Sequence, residues 1–251
     1  MEVFWSLPLS GNFVIMVILY FFDKVAAPTR ARWFALHGFA NCLVVVTAMK
    51  GMLQSLRDPL YSLDSRKYND RSVFGSASPW PVYIINSLHV YHVVFFEVSG
   101  QELFHHLAFV PAIGFMGQFF EWGCALGFMA FFISGLPGAI DYLLLILVKY
   151  KHINAIVQKR VCAGLNLYVR GPMVIISAHT IYIAMLYDHL TVPNWACGII
   201  LVIALFNSLY YTKQSVSNAA ISQIVATFSE LTGVEMPRWS EISRKAQSSV
   251  S

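Results

Sequence analysis

Charge is what this chain has least of. Aspartate, glutamate, lysine and arginine make up 12% of its 251 residues, against about 25% in a typical soluble domain. The net charge is only +4 and sits in loops, which argues against nucleic acid as a partner. Closely spaced cysteines are missing too. Cys42, Cys124, Cys162 and Cys197 are scattered through apolar segments, so they read as reduced thiols rather than a disulfide framework or a zinc site. No basic stretch precedes the first apolar run, which therefore reads as a retained span and not a cleaved leader. Complete HxxxH and HxxHH boxes are also absent, and no metal site or cofactor is assigned.

Long apolar runs are what remains. The chain is 57% hydrophobic with a mean hydropathy of +0.60, which predicts an all-α, multi-pass transmembrane bundle. Seven spans are expected, at residues 3–22, 33–49, 80–98, 102–120, 121–150, 174–187 and 195–211. The fifth is interrupted by GLPG at 135–138. It reads as one broken helix, because neither half reaches the roughly 17 residues a crossing needs. Residues 50–79 form the longest polar loop, and 99–101 a tight turn.

Residues 1–212 are thus a transmembrane domain, and 213–251 a polar tail disordered toward its tip. Within that tail, 214–231 has the apolar spacing of a helix lying on the membrane surface or packed on the bundle. The loop expected at 149–170 holds five lysines and arginines and no acid. Basic residues gather on the cytoplasmic side, so the N-terminus is expected in the lumen and the C-terminus in the cytosol.

One stretch concentrates the ionisable groups. SLHVYHVVFFEVSGQELFHH, residues 87–106, holds four of the eight histidines between strongly apolar flanks. Ionisable groups in hydrocarbon are costly and usually functional. Glu102, His105 and His106 fall at i, i+3 and i+4, so the carboxylate reaches either imidazole on one helix face. That contact would fix a tautomer and make the other nitrogen a better base or nucleophile. His89 and His92 share a face of the third span. With seven spans, Asp141 on the fifth comes to the depth of His92 and the His105/His106 pair, near the cytosolic side.

Two segments carry a family resemblance. Residues 91–109, with ELFHHLAFVPAIG after an aromatic span, and residues 131–153, with AIDYLLLILVKYKHI, resemble the TLC family of lipid-associated multi-pass membrane proteins. That family includes ceramide synthases, translocating-chain-associated membrane proteins and ceroid-lipofuscinosis-type proteins. NLYVRGP at 166–172, which contains Arg170, looks like the start of a late TLC helix. LHVYH at 88–92 also resembles the LHVYHH box of fatty-acid elongases, with Val93 in place of its last histidine.

The TLC resemblance covers residues 30–212 in layout. It implies a helical bundle around a lipid-accessible cavity, in the endoplasmic reticulum or another internal membrane. By that resemblance His105 and His106 would be the catalytic pair and Asp141 a supporting acid, with His89, His92, Glu102 and Arg170 binding lipid or supporting the site. The family's D-x-x-D pattern is incomplete here: Asp141 matches the second aspartate, but Gly138 stands at the first and Pro137 at the histidine before it. Three expectations follow. The protein binds, senses or moves membrane lipids. Alternatively, it transfers acyl groups from acyl-CoA through the histidine pair. The third expectation is a structural subunit of a membrane complex.

Overall fold

The computed structural model describes residues 6–64, 78–97 and 110–234, with Gly100, Leu103 and His106 between the last two stretches. Among these residues there are seven helices and no strand. They are α1 (Ser6–Ala26), α2 (Arg32–Arg57), α3 (Trp80–Phe95), α4 (Val110–Phe119), α5 (Ala125–Lys149), α6 (Ala155–Leu186) and α7 (Asn194–Thr232). Four of them, α2, α5, α6 and α7, are long and apolar enough to cross a membrane. A helix satisfies its backbone polar groups along its own axis, as hydrocarbon demands. The chain is an all-helical membrane protein.

Contacts between helix ends show that the helices alternate in direction. At one face the Asp23 carboxylate, closing α1, accepts hydrogen bonds from Arg32 Nε (2.7 Å) and Nη2 (2.6 Å) at the start of α2. It also accepts one from the Tyr91 hydroxyl near the end of α3, at 2.8 Å. Lys149, Lys151, Lys159 and Arg160 belong to this same basic face. At the opposite face the Ala125 N–H donates to the Ser62 carbonyl (3.0 Å). The Thr191 hydroxyl there lies within bonding distance of the Leu63 (3.0 Å) and Glu121 (2.9 Å) carbonyls.

α2 and α5 pack almost backbone to backbone. A Cβ on Gly127 would fall 3.0 Å from the Ala48 carbonyl oxygen and 3.1 Å from Gly51 Cα. Small residues at such crossings let membrane helices approach closely.

Proline shapes three helices without breaking them. Pro111 lies inside a π turn at Val110–Phe115, Pro137 follows one at Phe131–Gly135, and Pro172 follows one at Asn166–Arg170. A π turn widens the helix by one residue, which eases the clash of the proline ring with the preceding turn. α5 is therefore one span, as residue count predicts, but it runs through GLPG unbroken.

Other boundaries also differ from the sequence reading. α2 continues to Arg57. Of the basic stretch 149–170, only residues 150–154 form a turn. Asn154 caps the next helix by accepting from the Ile156 N–H at 2.9 Å, so α6 begins at Ala155. The polarity change at Lys213 is not a change of backbone, because α7 runs on to Thr232. Its 39 residues span about 58 Å, nearly twice the ~30 Å of hydrocarbon. Gly100 is helical, while Ser99 and Gln101 of the expected turn lie outside the described residues. So do 65–77 of the polar loop and the tail from 235 onward.

Gly127→Val should lower the thermal midpoint of the detergent-solubilised protein, at an overpacking cost of about 1–3 kcal/mol. Gly198→Ala should not lower it, since nothing lies within 4 Å of the added carbon.

Candidate functional site

Four histidines meet near the basic face. His37 sits on α2, His89 and His92 on α3, and His106 on the helical residues that precede α4. The His92 ring lies 4.6 Å from that of His37 and 5.1 Å from that of His106, centroid to centroid. His106 is also 5.0 Å from His89. Trp33 packs beneath the group with its ring tilted, 3.7 Å from His92 and 4.7 Å from His37. Tyr142 on α5 closes it at 4.7 Å from His37.

Two rings have their tautomer set by their own helix. His37 Nδ1 is 2.8 Å from the Trp33 carbonyl oxygen, and His89 Nδ1 is 2.6 Å from that of Ile85. A carbonyl only accepts, so each Nδ1 carries the hydrogen and donates it. The lone pair of the neutral ring is then on Nε2, the nitrogen able to take a proton.

Deeper in the bundle the polar groups are amides and one guanidinium. Asn41 accepts from the Ser134 hydroxyl (2.8 Å) and donates to the His37 carbonyl (2.9 Å). Asn86 is buried, and its side-chain amide makes no hydrogen bond. Arg170 donates from Nε to the Ile133 carbonyl (3.0 Å), from Nη1 to Asn166 Oδ1 (3.2 Å) and from Nη2 to Asn207 Oδ1 (2.5 Å). The Ile133 carbonyl is the one that Pro137, lacking an N–H, cannot serve. Asp141 accepts from the Gln158 amide at 2.5 Å, which ties α5 to α6.

All of these groups except Gln158 border a single cavity of about 850 Å³. Toward the opposite face its walls turn apolar, with Val82, Ile113, Leu126, Met129 and Ile200. Leu126 and Asp141 both line it. They are about fifteen residues apart on α5, so the cavity extends about 22 Å along that helix.

Of the residues read from the sequence, His89, His92, His106, Asp141 and Arg170 all face this space. Glu102 and His105 lie outside the described residues, and with them the expected carboxylate–imidazole pairing. The Asp141 carboxylate is hydrogen-bonded to Gln158 and Cys162 and not to a histidine. Tyr142 next to it nevertheless touches His37 and so reaches the cluster. No three His, Cys, Asp or Glu side chains among the described residues are gathered so as to hold a metal ion.

Sequence reasoning passed over Trp33, His37, Asn41 and Tyr142. A signal was present: Trp33, His37 and Asn41 recur every four residues, a polar stripe on one face of an apolar span. Asn41 also accounts for the glycine at position 138. A Cβ on Gly138 would meet the Asn41 amide at 2.8 Å, so that space is already taken. No family model, no curated protein and no solved structure matches the chain.

Ring-nitrogen NMR of the labelled protein should find His37 and His89 as Nδ1–H tautomers when neutral. An Nε2–H tautomer at either position would contradict the hydrogen bonds to Trp33 and Ile85.

Proposed function

We propose that the protein binds one elongated membrane lipid inside its bundle and, by holding or presenting it, influences membrane lipid composition. The observation that carries this reading is the gradient of the cavity wall. The histidines and Asp141 line the end near the basic face, amides and Arg170 follow deeper in, and mostly aliphatic side chains line the other end. An amphiphile matches such a gradient, because its chain gains about 25 cal/mol per Å² buried while its polar end finds donors and acceptors. The volume of about 850 Å³ also falls within the roughly 300–1,000 Å³ of ligand cavities. In this reading the basic face is cytosolic, the N-terminus is lumenal, and the membrane is that of the endoplasmic reticulum or another internal compartment.

A second reading is favoured by His106, His89 and Asp141 bordering the same space. It is acyl-CoA-dependent acyl transfer of the ceramide-synthase type, in keeping with the TLC resemblance. The Nε2 lone pair of His89, in ring contact with His106, would supply the base.

Mass spectrometry of the purified protein should find a co-purifying lipid. Leu126→Trp, which fills the apolar end, should reduce it about tenfold, a loss of about 1.4 kcal/mol of binding. A wild-type protein that carries no lipid and takes up none from vesicles would sink the binding reading. Incubation with acyl-CoA and a sphingoid base decides the second reading: product made by wild type and lost in His106→Ala would establish transfer.

A further inference from the structure

We infer that the bound lipid carries an acidic group, a carboxylate or a phosphate, and that Arg170 receives it. The inference rests on the lipid-binding reading and specifies its ligand. Arg170 is only 7% exposed, and its position is deep. Its Nε contact, Ile133, lies about 12 Å along α5 from the end at Ala125 and about 24 Å from the end at Lys149. Arg170 itself is about 22 Å along α6 from Ala155, so its side chain is too far in to snorkel to the basic face.

Among the described residues the charge has no counter-charge within hydrogen-bonding reach. Its three hydrogen bonds end on two amide oxygens and a backbone carbonyl, and its nearest ring partner is Tyr211 at 5.4 Å. These groups are neutral. The Asp141 carboxylate bonds Gln158 and the Cys162 thiol, not the guanidinium. A buried cation without an anion is strongly unfavourable, and in hydrocarbon more so. A neutral donor would serve the Ile133 carbonyl at no such cost, so hydrogen bonding alone does not account for an arginine here.

The guanidinium is also held ready. Asn166 donates its own amide hydrogen to the Cys162 carbonyl at 2.9 Å, which leaves its oxygen turned to Arg170. Asn207 on α7 and Ile133 on α5 fix two further N–H groups. Three of five donors are used, and the residue borders the cavity. Two N–H groups remain for a pair of acidic oxygens, the geometry in which arginine binds most strongly.

The test is equilibrium binding to the full-length protein in nanodiscs, with three lipids of one chain length: a fatty acid, a lysophosphatidic acid and a neutral monoacylglycerol. The wild type should bind one or both acidic lipids at least about tenfold more tightly than the neutral one, the scale of one charge-assisted pair. Preference for the fatty acid identifies a carboxylate ligand, and preference for the lysophosphatidic acid a phosphate. Arg170→Gln should abolish the preference. Asn207→Asp, which keeps the arginine but places a carboxylate on it, should do the same and serves if the first variant does not fold. Equal wild-type binding of acidic and neutral lipids would overturn the inference and leave lipid binding standing. So would a preference that survives either substitution. Failure of all three lipids to bind would overturn the lipid-binding reading itself.

Discussion

Inside a bilayer a polar group finds no water, so each one must be met by the protein or by what the protein holds. That constraint governs the arrangement of this bundle. Proline in α5 withdraws a backbone donor from the Ile133 carbonyl, and the vacancy is filled from another helix by Arg170. The arginine in turn orients an amide of its own helix and one of α7. A local irregularity in one span thereby becomes the point at which three spans are joined.

The same irregularities make room. α2 and α5 are drawn together where Gly51 and Gly127 leave no side chain between them. The π turns of α4, α5 and α6 widen those helices on the way. Close packing in one place and widened turns in another leave a cavity bordered by six helices and His106. Its polar end is where it is because the ends of α1, α2 and α3 meet at the Asp23–Arg32–Tyr91 cluster. Pinning those ends sets His37 on α2 beside His92 on α3.

Much of this was legible beforehand. Low charge and long apolar runs were enough for a helical membrane protein, and histidines amid apolar residues were enough to mark 87–106. Asp141 and Arg170 were also picked out, the first through the turn count and the family pattern and the second through its motif. Boundaries were less legible. Lysines and arginines at 149–170 read as a loop, yet long basic side chains sit readily on a helix whose other face is packed, and the Asn154 cap was the overlooked sign.

What the sequence determined by itself is class: hydropathy is a sum over neighbouring residues, and a run of twenty apolar residues needs no distant information to be recognised as membrane-compatible. Side-chain company is another matter. His37 joins His92 across fifty-odd residues of chain, Arg170 meets a carbonyl that only a proline on another helix leaves open, and Asn41 fills the place beside Gly138. Those pairings depend on helix rotation and on the distance between axes, which are set by packing of all the helices together. Only the tertiary structure could decide them.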